Sequence, residues 1–465
     1  MSEISLYWFK QDLRLTDNRA LYEAVKSDKT IAIYIHDEKY PIGSASKLWL
    51  SESLKKLDKS LNNKLNIYKG SPIDIIEKLT KENNITNVYW NRCYDKYSIK
   101  RDSEIKKLLQ NNDINVKTFN GSLLLEPWQC LKDDDTHYKV FTFFYKKLIQ
   151  IKPYVSNLPK ASITNLIKLE NSSPLENLDL TKPQHSWQRI INFWEVGEKA
   201  AQLKLEEFIE DKIKDYKEAR DYPSFDSTSK LSPHLHFGEI SPNQIFNAIY
   251  QNNVSSNHEH FIRELAWRDF SYYLMYYYPD FDTKNINEKF DNFEWNNNPK
   301  LLKSWQEGQT GIPIVDAGMR ELWQTGYIHN RVRMIVASFL VKNCLIHWKY
   351  GEQWFFDCLF DADIANNCAS WQWVAGCGMD AAPYFRIFNP ALQAQKFDSK
   401  GDYIRKYIPE ISKLSNKYLA EPWTAKPEIL EKANIQLGET YPYPIVDLKT
   451  SREKALEKYK QISKG

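Results

Sequence analysis

Between Tyr327 and Pro390 the chain reads YIHNRVRMIVASFL, then a run ending IHWKYGEQW, then DADIANNCASWQWVAGCGMDAAPYFRIFNP. Asn330, Arg333 and Met334 stand at i, i+3 and i+4, a spacing that a helix gathers on one face. Asp361 and Asp363 come at a helix end or tight loop, Asn367 four residues later, then Trp371, Trp373 and Arg386. An arginine, two carboxylates and an amide among so many aromatics suit a large aromatic ligand with polar edges better than a plain core. The competing explanation is a buried structural ion pair.

Two further constellations carry chemistry. Thr228-Ser229-Lys230-Leu231-Ser232-Pro233 follows Tyr216 by twelve residues. Hydroxyl residues just before a helix cap it, and the free N–H groups there favour phosphate; an ordinary capped helix start would read the same. Glu264, Trp267 and Arg268 repeat the i, i+3, i+4 spacing; an amphipathic helix with a surface ion pair is the plain alternative. With 15 tryptophans in the chain, Trp295, Trp348 and Trp371 taken alone are core residues, and Arg220, Arg331 and Arg386 taken alone are surface ones.

The elements that must position these residues change along the chain. Short apolar runs rich in β-branched or aromatic residues, Ser5–Phe9, Thr30–His36, Leu65–Tyr68, Asn87–Asn91 and Asn115–Phe119, read as strands. Helical patterns lie between them at Asp17–Ser27, Ser46–Leu61, Pro72–Lys81 and Lys96–Gln110. Such alternation predicts a parallel sheet of Rossmann-like type with helices on both faces. No G-x-G-x-x-G follows the first strand, so a dinucleotide site there is unsupported. From Leu123 to Ile190 the periodicity fades and Pro and Ser become frequent, as in an interdomain connection with a few short helices. From Trp194 onward the pattern is helical almost to the end.

Composition sets bounds. A chain of 465 residues is long enough for two or three domains. The net charge of +3 is too small to argue for nucleic acid, so any basic footprint must be local. The six cysteines form no C-x-x-C pair, and the four within Cys344–Cys377 match no metal-ligand spacing. Free thiols in a reducing cytosol, and no metal, are the expectation. No apolar run reaches membrane-spanning length and no signal peptide precedes the first strand.

From YWFKQDLRLTDN near the start, through Tyr327–Pro390, to EPW at Glu421–Trp423 and YPYPIVD at Tyr441–Asp447, the chain resembles the photolyase/cryptochrome flavoproteins. Within them it is most similar to bacterial class I-type enzymes that split cyclobutane pyrimidine dimers in DNA. The resemblance implies an α/β antenna-type domain over 1–130 with a five-stranded parallel sheet. A linker over 131–193 and a large all-α FAD-binding catalytic domain over 194–465 would follow. It implies that Tyr216, Thr228, Ser229, Lys230, Leu231 and Ser232 hold FAD, with Lys230 in place of a frequent Arg. Arg333 and Asp361 would pair beside the flavin, Asp363 would meet its polar edge and Asn367 would face N5; Glu264 and Asn330 would also border the cofactor. Glu264 would hydrogen-bond the flipped dimer, Trp267 would pack on its ring, and Asn330 and Met334 would floor the lesion pocket. Tyr327 and Phe261 keep an aromatic wall where relatives carry Trp. Trp371, Trp348 and Trp295 would form the electron-transfer triad, from flavin to surface. Arg220, Arg268, Arg331, Arg386, Trp267 and Trp373 would contact DNA.

The implied activity is light-driven repair by anionic reduced FAD, in a cytoplasmic monomer whose partner is UV-damaged DNA. The alternatives are a cryptochrome-like sensor without repair, a (6-4) photoproduct enzyme and a flavin electron-transfer protein without a DNA role. A second antenna chromophore is common in the family. One folate-site pattern is missing here, since Tyr97-Ser98 and Ile42-Gly43-Ser44 stand where its contacts would lie; the antenna's identity stays open.

Overall fold

The structure, a computed structural model, describes residues 3–151, 157–180, 190–250, 255–384 and 386–463. The chain divides into two compact units. The first comprises Met1–Lys214, Ser229–Asp280 and Phe360–Ala365, and the second Asp215–Thr228, Phe281–Leu359 and Asn366–Gly465. Sequence position and compact unit therefore part company: 194–214 and 229–280, although helical in pattern, group with the sheet.

The first unit is built on five parallel strands, β1 (Ile4–Phe9), β2 (Lys29–His36), β3 (Asn66–Lys69), β4 (Asn87–Asn91) and β5 (Asn115–Phe119), in the order β3-β2-β1-β4-β5. Leu6 pairs with Ile31 on one side and Val88 on the other. The helices Arg19–Ala24, Ser44–Ser60, Pro72–Glu82 and Lys96–Asn111 lie between the strands in sequence, as the alternation requires. Leu6, Trp8, Ile31, Ile33, Val88 and Trp90 pack with Ile76, Leu79, Ile105 and Leu109 in one dry cluster. Strands buried on both faces lose the polar/apolar alternation, which is why they read as continuous apolar runs.

The QDLRLTDN signature is a buried polar knot. Arg14 is almost wholly buried and donates to the main-chain oxygens of Thr16, Asp17, Gly121 and Gly238. Tyr7 donates to Asp12 at 2.5 Å, and Asn91 donates to Asp12 and Asn18. A buried charge is tolerable only with its hydrogen bonds filled. Gly238 is required here: its φ is 66°, and a side chain would run into the backbone of Gln11 and Asp12.

Part of the segment expected as a linker joins the sheet unit. Leu166 bridges Thr30 of β2, Ser173 donates its N–H to Ile67 of β3, and helix Phe141–Ile151 precedes this stretch. The second unit is helical, with Pro313–Thr325, Asn330–Ser338, Trp348–Cys358 and Leu448–Ser463 among its elements. Asp316 anchors it from a fully buried position, accepting from Thr310 N and Oγ1, Gly311 N and Tyr441 Oη. All six cysteines are free. Among the described residues, none cluster as a metal site and no helix is long and apolar enough to cross a membrane.

Candidate functional site

In the first unit the expected phosphate loop turns sharply. Lys230 has φ 51°, and Leu231 returns to right-handed values (φ −83°, ψ −6°) at the start of helix Ser232–His236. Opposite-handed neighbours of this kind turn successive N–H groups toward one concavity suited to phosphate oxygens. Ser229 Oγ accepts from Leu231 N, and Ser232 Oγ donates to Asp361 Oδ2 at 2.6 Å. Main-chain N–H groups, hydroxyls and a lysine are a donor set that fits the pyrophosphate of FAD.

Asp363 lies buried and accepts from Tyr272 Oη at 2.8 Å. His236 shares the neighbourhood of Asp361, Asp363 and Arg268; burial lowers its pKa, with the two aspartates opposing. Its Nδ1 is buried with no hydrogen-bond partner. Such an orphan is uncommon in a finished fold and is what a bound polar ligand relieves. Neither Tyr272 nor His236 stood out in the sequence; the only hint was the position of His236 four residues after Ser232.

Helix Ser256–Tyr277 carries Glu264 and Trp267 one turn apart, both half-buried. Trp267 lies flat on Phe141, with ring centres 3.6 Å apart and planes 9° from parallel. On the same helix Arg268 is buried: its Nη1 donates to Ser122 O at 2.6 Å, its guanidinium covers the Tyr272 ring, and Asp269 lies 3.6 Å away. A cation so engaged helps hold this unit together.

The crevice at the carboxyl ends of β1 and β4, where the strand order switches, is where open α/β sheets take ligands. Here charged side chains gather and pair. Lys10 pairs with Asp102 at 2.5 Å, Arg101 pairs with Asp102 and Asp37, and Tyr97 donates to Asp37. Lys10 and Arg101 both lie 4.9 Å from the Trp8 ring.

In the second unit, Tyr216 is buried with the Arg220 guanidinium 5.3 Å from its ring centre. His329 caps helix Asn330–Ser338 by accepting from Arg331 N at 3.2 Å. That start leaves Asn330 exposed and puts Met334, half-buried, one turn on. Arg331 pairs with Asp221 at 2.7 Å and lies over Phe397. Arg333 Nε donates to Ile328 O, with the guanidinium over Tyr327. Asp221 and Phe397 carried no sequence signal. Arg386 is exposed, and Trp373 is half-buried.

Asn367 is buried, and its Nδ2 donates to both the main-chain oxygen and Oε1 of Glu352, at 3.0 and 2.9 Å. Lys349 holds the other carboxylate oxygen of Glu352 at 3.0 Å. With both N–H groups taken, the free face of this amide is its acceptor oxygen. An acceptor fits an N–H donor on a flavin edge.

The three expected electron-transfer tryptophans all lie in this unit. Trp371 and Trp348 are buried and Trp295 is half-buried. Trp371 packs on Phe355 and Trp305, with ring centres at 5.0 and 6.1 Å. It also packs on Gly351, one turn after Trp348; any side chain there would overlap its six-membered ring. The outer two tryptophans both touch His347.

Two family models match this chain: "FAD binding domain of DNA photolyase" over residues 261–461 and "DNA photolyase" over residues 5–161. The deoxyribodipyrimidine photo-lyase of Agrobacterium fabrum is 43% identical over 469 residues, covering 99% of this chain and 98% of its own. Cryptochrome-2 of Arabidopsis thaliana is 34% identical, covering 97% of this chain and 78% of its own. The crystal structure of a bacterial class III photolyase from Agrobacterium tumefaciens matches with a TM-score of 0.96 at 41% identity, covering 100% of this chain and 98% of that one. With a parallel-sheet domain, a helical FAD-binding domain and relatives aligned over nearly its whole length, the chain belongs to the DNA photolyase family of flavoproteins.

Proposed function

We propose that this chain repairs cyclobutane pyrimidine dimers in UV-damaged DNA with light, acting as a cytoplasmic monomer. Reduced, anionic FAD supplies on excitation the electron that opens the cyclobutane ring, and takes it back, so no net redox change results. Tyr216 and Thr228 through Ser232 hold the cofactor's pyrophosphate side, and Arg333, Asp361, Asp363 and Asn367 hold its ring edge. Glu264 and Asn330 border both cofactor and lesion. A second, antenna chromophore serves light capture where one is bound.

The dimer leaves the duplex at a cost of a few kcal/mol, less for a weakly stacked damaged pair. Trp267 packs against it and Met334 floors its pocket. Glu264, acting as the neutral acid, donates its O–H to the pyrimidine carbonyl on which negative charge builds, so the donor does most for the species that must be stabilised. Arg220, Arg331, Arg386 and Trp373 grip the flanking strand. Phosphate contacts carry no sequence information, which suits an enzyme that reads a lesion rather than a sequence. Trp371, Trp348 and Trp295 pass electrons toward oxidised FAD and take no part in repair.

The Glu264–Trp267 pair carries this proposal: one helix turn sets a carboxyl beside an indole whose other face Phe141 already supports. The cryptochrome relative marks the light-sensor alternative, which needs neither residue. The test is illumination of the reduced holoprotein with oligonucleotides carrying either a thymine cyclobutane dimer or a (6-4) lesion, against dark controls. Repair of the cyclobutane lesion alone is expected. Repair of only the (6-4) lesion, or of neither with FAD bound and photoreducible, overturns the proposal.

A further inference from the structure

The outer half of the tryptophan chain contains an imidazole. The His347 ring lies 5.5 Å from Trp348, tilted by 29°, and 5.1 Å from Trp295, edge-on at 69°. Its placement is fixed twice: the His347 N–H donates to Asn297 Oδ1 at 2.9 Å, and Nδ1 accepts from Lys349 N at 3.1 Å, capping helix Trp348–Cys358. A ring nitrogen that accepts must keep its lone pair, so this cap selects neutral imidazole with its proton on Nε2. Two charged groups face the ring. Burial disfavours a positive imidazole most, and Lys349, on the same helix, adds to it; Asp291, on the turn Glu288–Asn292, opposes them, and the pKa is lowered. A cap alone does not call for an aromatic ring, since Asn or Asp caps as well.

We propose that His347 is a positioning residue for the outer electron-transfer step, spacing Trp348 from Trp295 and adding no second positive charge to the Lys349 ammonium that already lies 5.3 Å from the Trp348 ring centre. This rests on the electron-transfer role proposed for Trp371, Trp348 and Trp295. In that step one electron passes from Trp295 to oxidised Trp348. Trp348 is restored, its Nε1–H held by Asn285 Oδ1 at 2.8 Å throughout. Trp295 is left a radical cation, which loses its indole proton to water. A protonated His347 would raise the energy of a radical cation on either neighbouring indole. The positive charge would then stay on Trp371 and recombine.

The test is the yield of long-lived oxidised tryptophan after a flash on the oxidised holoprotein, followed across the acid range without added thiol. Wild type should lose yield by about tenfold or more once the imidazole is protonated. His347→Asn, which keeps a capping acceptor, should give a reduced yield at neutral pH and no acid-dependent fall. An unchanged neutral yield in His347→Asn, or an acid fall that persists in it, overturns the proposal. A readout independent of the flash is the imidazole C–H resonance that His347→Asn removes. It should titrate below the ordinary histidine value, and titration at or above that value also overturns the proposal. Trp371→Phe separates the two levels: if it leaves the yield intact, the tryptophan chain itself is misassigned, whatever His347 does.

Discussion

Glu352 takes both N–H groups of the Asn367 amide, one on its main-chain oxygen and one on its carboxylate. The amide thus cannot turn over, and its oxygen faces away from Glu352. Glu352→Ala leaves one buried N–H without its partner, a loss of about 1–3 kcal/mol. The expected outcome is a lowered melting temperature together with a shifted FAD midpoint potential, read by redox titration. Glu352→Gln keeps an acceptor and should lie between wild type and Glu352→Ala. An unchanged potential in Glu352→Ala would remove Asn367 from the flavin.

Gly351 is the second point where packing bears on electron transfer. A Cβ at this position would overlap the Trp371 ring, and Leu340 closes the remaining space. Gly351→Val should destabilise the protein by about 1–3 kcal/mol through overpacking. It should also slow FAD photoreduction while leaving repair by prereduced enzyme intact. Photoreduction assays and thermal melts on the same samples check both effects.

Acid should loosen the start of helix Asn330–Ser338. The His329 cap needs a neutral ring, and burial lowers its pKa from 6.5 to about 4. As pH falls, the unfolded chain takes up this proton first. Stability from His329 is therefore full above about 6.5 and drains away as pH falls toward about 4, by roughly 3 kcal/mol at most. His329→Asn keeps a capping acceptor without a titrating ring. Chemical denaturation at pH 7 and pH 4.5 should show a smaller acid loss in this variant than in wild type.

Two arginines of similar appearance in the sequence should behave oppositely. Arg386→Gln should weaken binding to lesion DNA and reduce the salt slope of log K by about one, with the melting temperature unchanged. Arg268→Ala leaves Asp269 buried without its nearby cation and should destabilise the fold by about 3–5 kcal/mol. Salt-dependent binding isotherms and melts on the two variants separate these roles.

The strands were legible in sequence because burial on both faces leaves short β-branched and aromatic runs; β4 and β5 match their expected limits, and β1 and β2 differ by one residue. The helix spacings of Glu264–Trp267 and Asn330–Met334 were legible for the same periodic reason. Arg268 was not. Spacing placed it with Glu264 on one face, but helix Ser256–Tyr277 is buried around most of its circumference, so sharing a face did not mean facing solvent. The grouping of 194–214 and 229–280 with the sheet was hidden too, since long-range contacts leave no periodicity. Glu352 and His347 stood inside IHWKYGEQW without a distinguishing pattern; a hydrogen bond to an amide fifteen residues away and a ring wedged between two indoles are properties of the folded chain alone.

In the proposed function Glu264 serves the repair of a cyclobutane dimer. The most direct measurement is the number of thymines restored per flash in reduced holoprotein saturated with a cyclobutane-dimer oligonucleotide, for wild type and Glu264→Ala. Wild type should restore thymines only in the light, and Glu264→Ala should lose about tenfold or more of that yield while still binding FAD. Equal yields in the two proteins, or no restoration by wild type, would contradict the account.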